Sequence, residues 1–273
     1  MELEFRFEDP EWEEIIVAEL SDIGFSSFSG GGKILQAYIP VKEFDARKLE
    51  ECFFINQNKE KINVEERVIK GENWNRKWEE NFEPVDVENK IYVRAPFHKA
   101  KPGVPMEILI MPKMAFGTGH HATTYLMLKQ MLEMDFKNKF VADLGCGSGI
   151  LAIAASKSGA AHVSAVDIDE WSYVNTLENA EANSVKNIII KQGTGAILRT
   201  KFDVVLANIN RNVLLAEMKL YNELLHDKGL LLVSGFYTED KSMIESAATE
   251  QGFVHKNEME RSNWLSVLYY KRQ

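Results

Sequence analysis

The sequence predicts an α/β chain in which a doubly wound, Rossmann-like domain follows a small ferredoxin-like α+β domain. Two observations support this prediction. From about residue 88 onwards, apolar strands alternate with amphipathic helices, which is typical of a parallel sheet with helices on both faces. Before residue 70 the order is strand, helix, strand, strand, helix, strand, as in a ferredoxin-like domain. We therefore predict domains at 1–70 and 88–273, joined by a linker at 71–87.

The first domain opens with a strand in which Leu3, Phe5 and Phe7 alternate with charged residues. Apolar residues at helical spacing follow from Pro10, and Gly24 marks the end of that helix. The remaining pattern is a hairpin around a glycine-rich turn, a short helix and a last strand. We place the hairpin strands at 25–28 and 34–39, the helix at 44–53 and the last strand at 64–69.

The second domain opens with two strands at 91–93 and 108–110 and a helix at 123–134. Strands and helices then alternate, which implies a parallel sheet. The strands are predicted at 140–144, 162–166, 188–190, 202–207 and 230–234, and the helices at 149–158, 170–183, 211–225 and 239–251. Two adjacent strands at 253–259 and 265–270 follow the last helix, and we predict that they pair antiparallel.

Composition and charge limit the classes of protein to consider. The chain has 273 residues, two widely separated cysteines and a net charge of −9. Residues 1–60 hold 14 acidic and 6 basic residues, a local charge of −8. Such a module attracts basic partners and repels phosphate backbones, although it also simply favours solubility. We expect a cytoplasmic protein with no DNA or membrane partner, and nothing implies an oligomer.

A glycine-rich loop indicates a cofactor site. Gly145, Gly147 and Gly149 follow a predicted strand and open a helix, where glycines let a ligand approach the backbone. A dinucleotide loop needs a small residue at the third position of its pattern, and here Ile150 stands there. The order of the glycines therefore disfavours NAD and favours S-adenosyl-L-methionine.

Polar residues at two other strand ends point to the same crevice. Asp167 ends the second strand of the sheet, where a carboxylate can accept both hydroxyls of a ribose. Asp169 is the better candidate to cap the following helix, and Asn210 or Asn212 can cap the helix after the fourth strand. We predict that Asn208, at the end of that fourth strand, holds an amine nucleophile in line with a methyl group through its side-chain amide or its backbone carbonyl.

These motifs resemble those of bacterial ribosomal protein L11 methyltransferases, a family of class I S-adenosylmethionine-dependent enzymes. The more specific motif is Phe-Gly-Thr-Gly-His-His-Ala-Thr-Thr at 116–124, and the generic ones are the glycine loop and Asp167. The resemblance covers the whole chain. It implies that the first domain recognises a basic protein of the large ribosomal subunit, and that lysine side chains and the N-terminal amine are methylated.

The resemblance also implies roles for individual residues. Cofactor contacts transfer to Thr124, Gly145, Asp167 and Asn208. The residues around them extend this prediction: Gly147 belongs to the same loop, and Phe116 is placed to stack on or cover the cofactor. We predict that Asn208 and His121 are catalytic, with His121 as an orienting hydrogen-bond partner rather than a strong base. The adjacent histidines have no acidic or cysteine partner at ligand spacing, so no metal is expected.

Two other functions remain open at this point. A class I methyltransferase acting on another protein or on RNA would have the same cofactor site. A non-catalytic assembly factor would bind the cofactor and transfer no methyl group. The strand ending Ala207-Asn208-Ile209 differs from the Pro-Pro-aromatic ending of many enzymes that methylate nucleic-acid bases, which disfavours a base as the substrate.

Overall fold

The computed structural model describes residues 1–68, 83–111 and 117–273. The chain forms two compact units, Met1–Asn81 and Phe82–Gln273, and each has its own apolar core. Most of the predicted linker at 71–87 lies outside the described residues. Within the described ranges, no helix is both long and apolar enough to cross a membrane.

The first unit is a four-stranded antiparallel sheet packed against helices. Its strands lie in the order β2-β3-β1-β4, the ferredoxin-like order that the pattern predicts. The elements are β1 (Glu2–Phe7), α1 (Trp12–Asp22), β2 (Ser27–Gly31), β3 (Ile34–Tyr38), α2 (Ala46–Glu51), α3 (Phe53–Gln57) and β4 (Ile62–Arg67). Leu3, Phe5 and Phe7 are buried, as their alternation predicts, and they pack with Ile16 and Leu20 of α1.

Two details of this unit differ from the sequence prediction. The single helix predicted at 44–53 is two short helices, because Cys52 takes an extended conformation that ends α2 and begins α3. The hairpin turn is shorter than predicted. β2 continues to Gly31, which pairs with Ile34, so only Gly32 and Lys33 form the turn.

The second unit is built on a seven-stranded sheet with the order β10-β9-β8-β11-β12-β14-β13. The five strands β8 to β12 are all parallel to one another. β14 is antiparallel to both of its neighbours, β12 and β13. The strands are β8 (Phe140–Leu144), β9 (His162–Asp167), β10 (Ile188–Gln192), β11 (Phe202–Asn208), β12 (Leu225–Tyr237), β13 (Phe253–Arg261) and β14 (Trp264–Lys271). The predicted fold class and the predicted antiparallel ending are both confirmed.

Helices cover both faces of this sheet. They are α4 (Ala122–Met131), α5 (Ile150–Lys157), α6 (Glu170–Ala182), α7 (Arg211–Leu224) and α8 (Lys241–Glu250), with short 3-10 turns at Gly195–Ile197 and Thr238–Asp240. One apolar core lies under α4 and α5, and a second lies under α7 and α8. A dinucleotide-binding sheet runs 3-2-1-4-5-6. Here the antiparallel β14 lies between β12 and β13, so the sheet differs from that fold.

A smaller three-stranded sheet precedes the large one. It consists of β5 (Val85–Val87), β6 (Ile91–Arg94) and β7 (Met106–Leu109) in that order. Residues 85–87 stand in the sequence-predicted linker, but they pair with β6 and belong to the second unit. This strand was not predicted, because three residues are too few to show an alternating pattern.

Candidate active site

A cavity of about 440 Å³ opens at the carboxyl ends of the parallel strands in the second unit. This is the edge at which open α/β sheets bind their ligands. Predicted site residues from four separate segments line it: His121, Thr124, Gly145, Gly147, Asp167 and Asn208. Phe116, which the sequence also places at the site, lies outside the described residues.

The loop between β8 and α5 is shaped by glycines. Gly145, Gly147 and Gly149 all have left-handed backbone angles, with φ of +68°, +55° and +78°. A side chain on Gly145 would overlap the side chain of Ile209, and one on Gly149 would come within 2.6 Å of Thr176. Only glycine satisfies both the backbone angle and the space at these positions, so the loop forms a close cradle for a ligand.

Asp167 fixes the cradle to the end of β9. Its Oδ2 accepts a hydrogen bond from the backbone N–H of Gly147 at 2.8 Å, and its Oδ1 accepts one from Asp169 at 3.0 Å. Asp169 instead caps α6, because its carboxylate accepts from the N–H and the hydroxyl of Ser172. The prediction that Asp169 caps the helix is confirmed. Asp167 does not cap it and lines the cavity.

Asn208 ends β11 beside the cradle. Its Nδ2 donates to the hydroxyl of Thr124 at 3.4 Å, and Thr124 is itself completely buried on α4. The Oδ1 of Asn208 is buried and accepts no hydrogen bond from the residues that the structure describes. A buried acceptor without a hydrogen bond costs about 1–3 kcal/mol of folding free energy, so such groups are rare. One that faces a cavity is a candidate to bind a ligand. Asn210 caps α7 through Val213, as one of the two predicted options.

His121 supports the start of α4. It is the N-cap of that helix, and its Nδ1 accepts from the N–H of Thr123 at 3.3 Å and lies 2.8 Å from the Thr123 hydroxyl. Burial lowers the pKa of His121, so the ring is neutral near pH 7. A neutral ring whose Nδ1 accepts carries its proton on Nε2. Through these contacts His121 holds the first turn of α4.

The neighbouring His120 has different partners. Its Nε2 lies 2.7 Å from the carbonyl oxygen of Glu83, and its Nδ1 lies 3.1 Å from the hydroxyl of Thr118. The two histidines therefore do not converge on one point through these contacts. Glu245, His255 and Glu258, elsewhere in the described residues, lie close enough together to hold a metal ion, but none of them lines the cavity. The ammonium of Lys241 lies 2.6 Å from a Glu258 oxygen and already pairs with that carboxylate.

Asparagines at four-residue spacing along α6 join the glycine cradle to the backbone at Leu109 and Met111, and the sequence did not predict these contacts. Asn183 pairs with the backbone N–H and carbonyl of Leu109 at 2.9 and 2.6 Å. Asn179 accepts from the N–H of Met111 at 2.8 Å and donates to the carbonyl of Ser148 in the cradle at 2.8 Å. The four-residue spacing of these side chains on one helix was a usable signal. Their partners lie far away in the sequence and could not be inferred.

Asp143 is a second missed residue. It is completely buried below the cradle, where its Oδ2 accepts from the N–H of Ala152 at 2.9 Å and its Oδ1 has no partner among the described residues. Burial, with a smaller contribution from the charge of Asp167, raises the pKa of Asp143 to about 7. The carboxyl group is therefore half protonated near neutral pH.

This raised pKa predicts a pH-dependent stability. The unfolded carboxyl ionises near pH 4, whereas the folded one stays protonated up to about pH 7, so the folded state loses stability as pH rises through that window. Asp143→Asn keeps the acceptor for Ala152 and cannot ionise. We measure the free energy of unfolding in urea, without ligand, for the variant and the wild type. The difference, variant minus wild type, should be larger at pH 8 than at pH 4.5 by about 3 kcal/mol. An equal difference at the two pH values would contradict the assignment.

One aromatic side chain lines the cavity and stacks on a second one outside the lining. Trp264 lines the cavity, and its ring lies 4.0 Å from that of Tyr237 and 4.7 Å from that of His121, measured between centroids. The sequence analysis singled out neither Trp264 nor Tyr237. They come together only because β12 and β14 pair, with Tyr237 opposite Trp264.

Together, the sheet order and the glycine cradle define a class I methyltransferase fold. A sequence model of the family described as ribosomal protein L11 methyltransferase (PrmA) matches residues 12–272. The chain is 43% identical to the ribosomal protein L11 methyltransferase of Porphyromonas gingivalis and 39% identical to that of Phocaeicola vulgatus. These alignments cover 94% of this chain and 90% and 92% of the two relatives.

Solved structures agree with this result. A ribosomal protein L11 methylase from Lactobacillus delbrueckii subsp. bulgaricus matches with a TM-score of 0.66 and 29% identity, over 70% of this chain and 100% of that chain. A methyltransferase from Pyrococcus furiosus, at 16% identity and a TM-score of 0.53, over 61% of this chain and 90% of that chain, shares the fold. The chain belongs to the ribosomal protein L11 methyltransferase family.

Proposed function

We propose that the chain transfers methyl groups from S-adenosyl-L-methionine to lysine side chains and the N-terminal amine of ribosomal protein L11. The observation that supports this most strongly is the buried amide oxygen of Asn208 at the end of β11, next to a glycine cradle, which has no hydrogen-bond partner among the described residues. An acceptor in that position suits an amine N–H. The family match over 12–272 supports ribosomal protein L11 as the protein substrate.

The described residues fit the cofactor. Gly145 and Gly147 would let the backbone approach it, Asp167 would offer a carboxylate to its ribose, and Thr124 and Asn208, which line the same cavity, would hold its other end. When bound, S-adenosyl-L-methionine supplies a methyl group that its sulfonium has already activated. The protein then has to deliver a neutral, aligned amine.

Asn208 is the residue we assign to this alignment. Its Oδ1 accepts an N–H of the amine, which turns the nitrogen lone pair towards the methyl group, while its own Nδ2 is held by Thr124. A free lysine has a pKa of about 10.4 and an α-amine one of about 8, so most lysines must lose a proton on entering the site. The apolar surroundings of the cavity favour the neutral amine. His121 holds the first turn of α4, and with it Thr124, in place.

The first unit is proposed to select the substrate. Its acidic surface attracts a basic protein, and its β-sheet shows no cofactor motif of its own. Because ribosomal proteins are made in the cytoplasm, we expect the enzyme to act there.

The proposed cofactor site predicts a defined loss in one variant. Asp167→Ala removes the carboxylate offered to the ribose, so we expect S-adenosyl-L-methionine to bind about 10- to 100-fold more weakly, the size of a lost charge-assisted hydrogen bond. Isothermal titration calorimetry on the full chain measures this. NAD, titrated in parallel into the wild type, should show no binding. Tight binding of NAD, or an unchanged affinity in the variant, would show that the pocket is assigned wrongly.

Purified full-length chain, incubated with methyl-labelled cofactor, tests the reaction itself. We expect label in ribosomal protein L11 and none in ribosomal RNA. Transfer to RNA alone would favour the other class I function, and cofactor binding without transfer to either would favour a non-catalytic assembly factor.

A further inference from the structure

We propose that Trp264 and Tyr237, with His121 at their edge, form an aromatic wall that binds the amine nitrogen as it becomes a methylated cation. The ligand class is an alkylammonium group carrying one to three methyl groups. This inference rests on the proposed function, because it concerns the same cavity.

The pairing of the strands places this wall near the strand end that carries Asn208. Asn208 lies opposite Ser234 on β12, and Tyr237 stands three residues further along the same strand, towards solvent. Trp264 lies opposite Tyr237 on β14 and lines the same cavity as Asn208. A substrate side chain that enters this cavity to reach Asn208 shares it with Trp264.

The contacts between Asn208 and the wall are continuous. Thr124 contacts Asn208, His121 caps the helix that holds Thr124, and the His121 ring meets Trp264 edge-on with an interplanar angle of 70°. The wall thus belongs to the same rigid surroundings as the residue proposed to align the amine.

The two large rings are not part of the apolar core. The core under α7 and α8 takes Phe236, Leu265 and Val267 from these strands, and it excludes Tyr237 and Trp264. Tyr237 is 45% exposed, and Trp264 is half-buried. Tyr237 packs against the Trp264 ring, and Trp264 lines the cavity, so Trp264 is the member of the wall that a ligand in the cavity would contact.

The charges around the cavity suit a cation. No lysine or arginine belongs to the described lining, and burial keeps His121 neutral. The carboxylate of Asp167 lies on the same lining. Aromatic faces attract ammonium groups, most strongly those of tryptophan, and they are the usual sites for quaternary ammonium ligands.

The reaction creates the charge that this wall would bind. The nitrogen lone pair forms the new N–C bond while the C–S bond breaks and its electron pair stays on sulfur, so the positive charge moves from sulfur to nitrogen. The new ammonium then releases a proton to water before it can accept the next methyl group. A wall that stabilises the cation on nitrogen assists each transfer and keeps a partly methylated amine at the site.

The test compares Trp264→Leu, which keeps apolar bulk, with Trp264→Phe, which keeps an aromatic face. The matched control is Trp171→Leu, because Trp171 is 75% exposed on α6 and is absent from the cavity lining. Each variant is assayed with ribosomal protein L11 for the proportions of mono-, di- and trimethylated product, and by calorimetry for the cofactor. We expect Trp264→Leu to lower trimethylated product roughly tenfold, with cofactor affinity unchanged within about twofold, and Trp264→Phe to restore most of it.

A binding experiment separates this inference from the proposed function. Trimethyllysine and its neutral isostere, with carbon in place of nitrogen, are titrated into the full chain with S-adenosylhomocysteine, and the indole N–H of Trp264 is followed by NMR. We expect the cation to bind about tenfold more tightly than the isostere in the wild type, and equally in Trp264→Leu. Equal binding in the wild type would overturn the wall, as would a Trp264→Leu variant in which all three methylation steps fall together with cofactor affinity. If the wild type leaves ribosomal protein L11 unmodified, the proposed function fails, and the titration still decides the wall.

Discussion

Replacing Asn208 with alanine is expected to lower kcat for protein methylation by about 100-fold, because a misaligned nucleophile costs a factor of that size. Stability should not fall. The Oδ1 of Asn208 is buried without a partner among the described residues, so its removal relieves an unsatisfied acceptor. Single-turnover kinetics with saturating cofactor measures the first effect, and thermal unfolding measures the second.

Asn212→Ala is the matched control for this experiment. Asn212 lies four residues further on, is exposed, and does not line the cavity. Its variant should keep wild-type kcat. A variant Asn208→Ala that unfolds early, and whose remaining folded fraction is fully active, would show that Asn208 has a structural role only.

Removing the first unit is expected to reduce kcat/KM on the protein substrate by about 100-fold, within the range that electrostatic steering gives to association rates. A fragment that begins at residue 83 keeps β5 and both apolar cores of the second unit, so it should fold and bind cofactor. Its loss should therefore appear in the reaction with protein and not in calorimetry with S-adenosyl-L-methionine.

Salt provides a check on the cause of this loss. Residues 1–60 carry a net charge of −8, and the Debye length falls from about 10 Å at 0.1 M to about 3 Å at 1 M salt. The KM of the full chain for its protein substrate should rise with salt, while cofactor affinity changes little. A fragment as efficient as the full chain would mean that the acidic surface serves solubility only.

The sequence predicted those parts of the fold whose signal is local. β8 was predicted with the bounds that the structure shows, because an apolar run leads directly into a glycine loop. β12 extends on both sides of its predicted range, since it follows α7 without an intervening loop and no turn residue marks its start. The break at Cys52 depends on one backbone angle, which no periodicity reveals.

The site divides in the same way. Gly145, Asp167 and Asn208 could be placed together because parallel strands end at one edge of a sheet. The contact between Thr124 and Asn208 joins residues 84 apart in the chain, and it became visible only in the fold. The same holds for the pairing of Tyr237 with Trp264 and for the asparagines of α6. The burial of Asp143 likewise depends on the packing of α5 over β8.

The most direct measurement is the mass of ribosomal protein L11 isolated from cells that lack this chain, compared with cells that express the wild type or Asn208→Ala. We expect the protein from cells with the wild type to be heavier by whole methyl groups on lysine side chains and on the N-terminal amine, as peptide mapping would locate them. Cells without the chain, and those with Asn208→Ala, should yield largely unmodified protein. Identical masses in all three would contradict the proposed function.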